Sequence, residues 1–193
     1  NAAVVITHEN TENLAQQLEK KTVTSGCGQG TMYGNVMKKL EGITLPQPQI
    51  KQSLLYGLLE SLTHHNDTYK AAGAVHGCAV CKGTDILSFV EDVGRHNAVD
   101  TLAGEMWLQQ QTGEDKIFYT TGRLTSEMVI KVAQMGIPVL LSRSGATQMG
   151  YDLAKKLGIT MIARAKGLRF QIYNGSDNIE LDVKGHESKG TQA

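Results

Sequence analysis

The chain has 193 residues, of which 40% are hydrophobic and 20% are charged, a balance typical of globular proteins with a buried core. Its 19 lysines and arginines equal its 19 aspartates and glutamates. This excludes an overall basic field for nucleic acid or an anionic membrane surface. No apolar run approaches the roughly 18 residues of a membrane span, and we expect no signal peptide. The three cysteines favour reduced thiols and a cytoplasmic location over a disulfide framework.

The beginning of the chain combines a short β-branched run at 2–7, a helical pattern at 12–21 and a glycine-rich stretch at 25–34. That stretch reads SGCGQGTMYG, and its single thiol, Cys27, lies between two glycines. The prolines in 45–49 follow it, so we expect a boundary between a small N-terminal region, residues 1–40, and a main domain, residues 41–183. Residues 184–193 are predicted to be a flexible tail.

In the main domain, strand and helix patterns alternate after a long core helix. Helices are predicted at 50–65, 96–111, 126–136 and 146–158, and strands at 73–80, 86–92, 116–121, 137–142, 159–165 and 168–173. This order predicts an α/β fold with a mostly parallel sheet and helices on both faces.

The junctions between strands and helices are unusually polar. They read EDVGRHN at 91–97, TTGRLTSE at 120–127 and SRSGATQ at 142–148, and each contains an arginine. In such a sheet, ligands bind beyond the carboxyl ends of the strands, close to helix N-termini that carry unpaired N–H groups. Each junction alone is explained by ordinary helix capping. Three basic junctions on one edge favour a site for a diphosphate or another polyanion.

His76, Cys78 and Cys81 lie in or just after an apolar strand. A Cys-x-x-Cys with a nearby histidine has the ligand types of a zinc site, but no second Cys/His pair with matching spacing completes four ligands. Cysteine in an Ala- and Val-rich run also behaves as a small hydrophobic residue. The pattern favours buried thiols beside a hydrogen-bonded histidine, and no metal site is predicted.

Five blocks of the sequence resemble the formate dehydrogenase accessory protein (FdhD) family. They are SGCG at 25–28, GAVHGCA at 73–79, EDVGRHNAVDTLAG at 91–104, TTGRLTSEMVIKVAQMGIPVLLSRSGAT at 120–147 and GITMIARAKGLRFQIY at 158–173. The resemblance implies a cytidine-deaminase-like, three-layer α/β/α domain with a remnant of a smaller β-rich N-terminal region. It also implies a cytoplasmic homodimer that binds neither nucleic acid nor membrane.

The function implied by the resemblance is that of a sulfurtransferase needed for formate dehydrogenase activity. A loop cysteine accepts sulfane sulfur from a cysteine desulfurase as a persulfide. It passes that sulfur to the molybdenum of bis-molybdopterin guanine dinucleotide, the cargo, before this cofactor enters formate dehydrogenase. Glycines around Cys27 would let one thiol reach both partners, because glycine adopts backbone angles that other residues avoid.

The resemblance assigns the persulfide to Cys27 and the guanine dinucleotide to the last strand pair and the polar junctions. The cofactor-binding residues implied are Arg164, Ala165, Lys166, Gly167, Leu168, Arg169, His76, Arg95, His96, Arg123 and Ser144. Two positions depart from the family pattern: Gly30 stands where relatives usually have a second loop cysteine, and Arg164 where they often have an aromatic residue.

Two other functions remain open from the sequence. A chaperone that binds the cofactor through its guanine nucleotide without moving sulfur would fit the single loop thiol. A zinc-dependent deaminase would share the fold, but His76 is not followed by an acid two residues on, and no proline precedes the Cys-x-x-Cys.

Overall fold

A computed structural model of the chain describes residues 40, 42–65 and 67–183. Contacts divide the chain into two units, Asn1–Gly42 and Ile43–Ala193, and the elements below belong to the second. The predicted N-terminal region, including Cys27, lies outside the described residues apart from residue 40. The predicted tail 184–193 lies outside them entirely. No helix in the described ranges is both long and apolar enough to cross a membrane.

The second unit alternates helices and strands as the sequence predicts. Its helices are α1 (Gln52–Thr63), α2 (Asp67–Ala72), α3 (Arg95–Leu108), α4 (Ser126–Gln134) and α5 (Gln148–Leu157), followed by a 3-10 turn at Ser176–Asn178. Its strands are β1 (Ile50–Lys51), β2 (His76–Lys82), β3 (Asp85–Asp92), β4 (Ile117–Thr120), β5 (Val139–Ser142), β6 (Thr160–Lys166), β7 (Arg169–Asn174) and β8 (Ile179–Glu180).

The main sheet has six strands in the order β3-β2-β4-β5-β6-β7. Parallel pairing is confined to its centre, where β4 pairs with β5 and β5 with β6. The other three pairs are antiparallel: β2 with β3, β2 with β4, and β6 with β7. The predicted parallel pairing is therefore found at the centre of the sheet, and four strands, β3, β4, β5 and β6, run in the same direction. At both flanks the pairing is antiparallel instead, because tight turns join β2 to β3 and β6 to β7.

The sheet is the middle of three layers. Alternate residues of a strand point to opposite faces. Ala79, Tyr119 and Leu141 form one core cluster with buried leucines of α1, because the leucine stripe of α1 faces that side. Helices α4 and α5 connect the parallel strands β4, β5 and β6. Because such crossovers are right-handed as a rule, both helices are expected on the same side of the sheet, opposite α1. Helix α3 contacts α4 and packs on β2 and β3.

In this topology, residues from the ends of several strands meet at one edge of the sheet. The carboxyl ends of β4, β5 and β6 meet there because these strands are parallel. Strand β2 runs the other way, with Cys78 opposite Thr120, so its first residue, His76, reaches the same edge. His76 also pairs with Asp92 at the end of β3. The three polar junctions and His76 are therefore neighbours.

Candidate functional site

Short hydrogen bonds fix the loops that follow β4 and β5. The Ser142 hydroxyl donates to the Gly122 carbonyl at 2.7 Å and accepts the Ser144 N–H at 2.9 Å. The Ser144 hydroxyl donates to the Thr121 carbonyl at 2.9 Å. The Ser144 side chain therefore ties one junction to the other, and its predicted contact with the cofactor stays a prediction.

Arg164 lies at an irregular point of β6, where the pairing with β7 shifts register. Its φ of 52° is in the left-handed region that arginine rarely adopts. The backbone N–H of Arg164 donates to the Ser144 carbonyl at 2.9 Å. Its guanidinium covers Gly145, where an added Cβ would lie 3.6 Å from Nη2. Backbone strain of this kind persists only where the surroundings fix it, and it is common at functional sites.

Two cavities flank the turn between β6 and β7 on the α1 face of the sheet. The first, which we call the Tyr119 cavity, has a volume of about 450 Å³ and is lined by Leu59, Leu62, Thr63, Tyr69, Tyr119, Arg143, Ala165, Lys166 and Gly167. The second, the Arg164 groove, has a volume of about 640 Å³ and is lined by Gln52, Tyr56, Arg164, Leu168, Arg169, Phe170, Gln171, Ile172 and Leu181.

The Tyr119 cavity combines two aromatic rings with two cations. Arg143 lies over the Tyr69 ring, 5.9 Å from its centroid, as in a cation–π pair. Burial raises the pKa of Tyr119 to about 12, although the positive charge of Arg143 opposes this shift. The Tyr119 hydroxyl therefore stays protonated at neutral pH and can donate a hydrogen bond. Lys166 adds a second positive charge to the lining.

Tyr69 reaches this cavity because a distant carboxylate holds its helix. The Glu91 side chain accepts the backbone N–H groups of Thr68 and Tyr69, each at 2.9 Å. It thereby satisfies donors in the first turn of α2 that have no partner within the helix. Gly73, with φ of 69°, ends the helix and donates to the Tyr69 carbonyl at 2.8 Å. Sequence analysis missed Tyr69 because a six-residue helix carries too little periodicity to be recognised.

A second group of residues occupies the opposite face of the same edge. Cys78 and Thr120 point to that face, and the Cys78 thiol donates to the Thr120 hydroxyl at 3.2 Å. The Arg95 side chain packs against Gly122, where an added Cβ would lie 2.9 Å from its Cδ. Burial lowers the pKa of His76, and the positive charges of Arg95 and Arg123 lower it further.

The first turns of α3 and α4 meet at this group. His96 Nε2 lies 3.1 Å from Glu127 Oε2, a distance that allows an ion pair but without the alignment of a hydrogen bond. Burial and the charge of Arg95 lower the pKa of His96, and together they outweigh the opposing effect of Glu127. Both His76 and His96 are therefore neutral donors or acceptors at neutral pH.

These lowered pKa values predict a pH-dependent stability. Below the ordinary histidine pKa of 6.5, the unfolded chain binds more protons at these two histidines than the folded chain does. Protonation therefore favours the unfolded chain, and the neutral histidines favour folding. This contribution is fully present above about pH 6.5 and is lost as the pH falls through the lowered values. We expect the free energy of unfolding, measured by urea titration, to fall as the pH is lowered from about 6.5 to about 5.

Replacing either histidine should reduce this pH dependence. His76→Asn and His96→Asn should each flatten the decline, and His64→Asn, at an exposed position just after α1, is the control for the substitution itself. Equal slopes in all four proteins would contradict the assignment of the pH dependence to the two histidines.

Cys78 and Cys81 are both fully buried. Burial raises the pKa of Cys78 to about 11 and that of Cys81 to about 12, so neither is a nucleophile at neutral pH. They occupy opposite faces, because Cys81 packs in the α1 core cluster and Cys78 points to Thr120. They therefore cannot bind one ion together. Across the described ranges, no group of three or more His, Cys, Asp or Glu side chains could hold a metal.

The predicted cofactor-binding residues thus fall into two sets, and the structure does not bring them onto one surface. Arg164 to Arg169 border the cavities on the α1 face. His76, Arg95 and His96 belong to the opposite face, where the exposed Arg123 affects the pKa of His76. Cys27 lies outside the described residues. Tyr119 was missed because a tyrosine inside a buried strand has the pattern of a core residue.

The chain matches the model of the FdhD/NarQ family over residues 1–180. It belongs to the FdhD/NarQ family. Curated relatives carry the name sulfur carrier protein FdhD. The protein of Wolinella succinogenes is 33% identical over 92% of this chain and 61% of its own length. The protein of Geobacillus kaustophilus is 32% identical over 83% of this chain and 61% of its own length. The protein of Bacillus subtilis is 29% identical over 83% of this chain and 62% of its own length.

A solved structure is also similar to this FdhD/NarQ chain. It was assigned as a formate dehydrogenase accessory protein of Desulfotalea psychrophila, with a TM-score of 0.68 and 33% sequence identity. The similarity covers 74% of this chain and 62% of that one. The FdhD/NarQ chain thus spans about three fifths of the length of the curated relatives it matches. The resemblance found in the sequence blocks is confirmed at the level of the family.

Proposed function

We propose that this FdhD/NarQ chain is the sulfur-carrying portion of a sulfurtransferase that supports formate dehydrogenase. The Cys27 thiolate attacks the outer sulfur of a persulfide on a cysteine desulfurase. The sulfur–sulfur bond of the donor breaks, the donor cysteine leaves as a thiolate, and Cys27 becomes the persulfide without net oxidation. The sulfur–sulfur bond on Cys27 would then break, Cys27 would leave as a thiolate, and the outer sulfur would pass to the molybdenum of bis-molybdopterin guanine dinucleotide, which would supply the two electrons that reduce it to sulfide, before that cofactor enters formate dehydrogenase. The protein acts in the cytoplasm as a homodimer.

The names of the relatives support a role in sulfur transport. The Tyr119 cavity is the observation that supports binding of the molybdenum cofactor. Its volume of about 450 Å³ lies in the range of small-molecule sites. Tyr69 offers a ring for a base to stack on, and Arg143 and Lys166 offer charge to a diphosphate. Arg164 and Arg169 in the neighbouring groove supply further cations along the same face. The guanine nucleotide half of the cofactor therefore binds on the α1 face.

The second unit has an α/β architecture with a mixed sheet. We propose that the second unit is cytidine-deaminase-like, which its element order and its three layers support. The deaminase activity itself loses support, because Cys78 and Cys81 lie on opposite faces of β2. A zinc ion needs both thiolates on the same side.

Calorimetry with GDP tests the nucleotide site. Lys166→Gln and Arg143→Gln each remove one cation from the Tyr119 cavity, so each should raise the dissociation constant for GDP roughly tenfold, because a lost charge-assisted hydrogen bond costs about 1.5–3 kcal/mol. Lys155→Gln, an exposed position in the last turn of α5, is the matched control and should bind like the unmodified protein. Wild-type affinity in both cavity variants would refute the assigned site.

A second candidate function is favoured by one observation. The loop around Cys27 has a single thiol, since Gly30 stands at the other position, and the two remaining thiols are buried with raised pKa values. A chaperone that binds the cofactor through its guanine nucleotide without moving sulfur needs no reactive thiol. GDP binding without sulfur loading on Cys27 would favour this chaperone.

A further inference from the structure

Arg95 is a buried cation, and two of its guanidinium nitrogens lack a hydrogen-bond acceptor in the part of the chain that the structure describes. Only 7% of the residue is exposed, and within the described ranges neither Nε nor Nη2 has a hydrogen-bond partner. Burying an arginine costs free energy unless its charge and its N–H groups are satisfied. The side chain passes so close to Gly122 that a methyl group there would displace it. The fold therefore makes room for a guanidinium whose Nε and Nη2 have no hydrogen-bond acceptor among the described residues.

The N-termini of two helices lie near Arg95. Arg95 is the first residue of the 14-residue helix α3, whose N-cap, Gly94, has no side chain to accept its N–H groups. Helix α4 begins nearby, because His96 Nε2 lies 3.1 Å from Glu127 in its first turn. The N-cap of α4, Thr125, makes no capping hydrogen bond, and its buried hydroxyl has no partner among the residues that the structure describes. Helix N-termini carry partial positive charge, so two of them favour an anion.

We propose that Arg95, with the N-termini of α3 and α4, forms a binding subsite for a phosphate or another tetrahedral oxyanion. The oxyanion accepts from Arg95 Nε and Nη2, and the helix N–H groups supply further donors. Gly122 lacks a side chain so that the guanidinium can take this position. The anion is either the phosphate of a nucleotide or a free inorganic oxyanion, which share the same chemistry.

Charged groups of both signs surround the subsite. Arg123 adds a positive charge that acts on His76. Asp92 is already engaged, because its Oδ1 accepts the Gly94 N–H at 2.7 Å and the Asn97 side-chain amide at 3.0 Å. Glu127 lies 3.1 Å from His96, which is neutral at neutral pH, and Asp100 is paired with Lys131 at 2.5 Å. Arg95 Nε and Nη2 are the buried donors that have no acceptor among the described residues.

This subsite differs from the guanine nucleotide site proposed above. Arg95 lies on the face of Cys78 and Thr120, whereas the Tyr119 cavity lies on the α1 face. The inference does not rest on sulfur transfer, so failure of sulfur loading would leave it standing.

Calorimetry with inorganic phosphate, GDP and guanosine tests the proposal. Wild-type protein should bind phosphate, and Arg95→Met should weaken this binding roughly tenfold or more. Gly122→Ala keeps every charge but displaces the guanidinium, so it should weaken phosphate binding as well. Lys155→Gln, the exposed position in the last turn of α5, should leave phosphate binding intact. If GDP displaces phosphate from Arg95, the anion is a nucleotide phosphate; if neither GDP nor guanosine does, it is a free oxyanion.

The stability of the free protein distinguishes this role from a structural one. Because Arg95 Nε and Nη2 have no acceptor among the described residues without the anion, Arg95→Met should unfold in urea at the same concentration as wild type or a higher one. Phosphate should stabilise wild type but not Arg95→Met. Loss of folding in Arg95→Met, wild-type phosphate binding in that variant, or no phosphate binding by the wild type would each overturn the proposal.

Discussion

Incubation with a cysteine desulfurase and cysteine is expected to add the mass of one sulfur atom to this chain. The added sulfur should be lost on treatment with a reductant, because a persulfide contains a reducible sulfur–sulfur bond. Cys27→Ala should abolish the mass gain completely, since the thiolate that attacks the donor would be missing. Intact-protein mass spectrometry measures the gain directly.

Cys78→Ala and Cys81→Ala provide the matched controls. Both thiols are fully buried, and burial raises their pKa values to about 11 and about 12. The two variants should therefore gain sulfur as wild type does. Sulfur loading that survives Cys27→Ala, or that disappears with Cys78→Ala alone, would reject Cys27 as the acceptor.

Gly150→Ala is expected to destabilise the protein by about 2–3 kcal/mol. Gly150 lies in the first turn of α5, and an added Cβ would lie 2.5 Å from the Leu124 carbonyl oxygen and 3.1 Å from the Thr125 carbonyl carbon. These are backbone atoms that lead into α4, so relief requires a shift of the α4 N-terminus. Urea titration should show the loss, and phosphate binding should weaken with it.

Gly104→Ala is the control for this substitution. Gly104 is exposed within α3, and nothing lies within 4 Å of an added Cβ. Alanine is favoured over glycine in a helix by about 1 kcal/mol, so this variant should be as stable as wild type or more stable. Equal stability of the two variants would contradict the packing argument.

The sequence predicts the elements of the second unit well because their patterns are local. Residues 126–136 and 146–158 have the helical spacing of apolar residues, and α4 and α5 lie within these limits. The polar junctions were recognised for the same reason. The edge they form follows from the parallel centre of the sheet.

What the sequence could not predict depends on contacts between distant residues. The direction of β2 is set by its pairing with β4, about 40 residues later, and this pairing divides the site between two faces. Tyr69 enters the cavity only because Glu91, 22 residues away, holds α2. The left-handed conformation of Arg164 is likewise unexpected, since arginine has no preference for it. Local patterns do not contain this information.

The burial of two thiols has a practical consequence for solution work. Reagents such as maleimides react with thiolates, and Cys78 and Cys81 present almost none at neutral pH. A dye or spin label added to the folded, unmodified chain would therefore attach at position 27 or not at all. Fluorescence or distance measurements could then follow the glycine-rich segment without first replacing any residue of the protein.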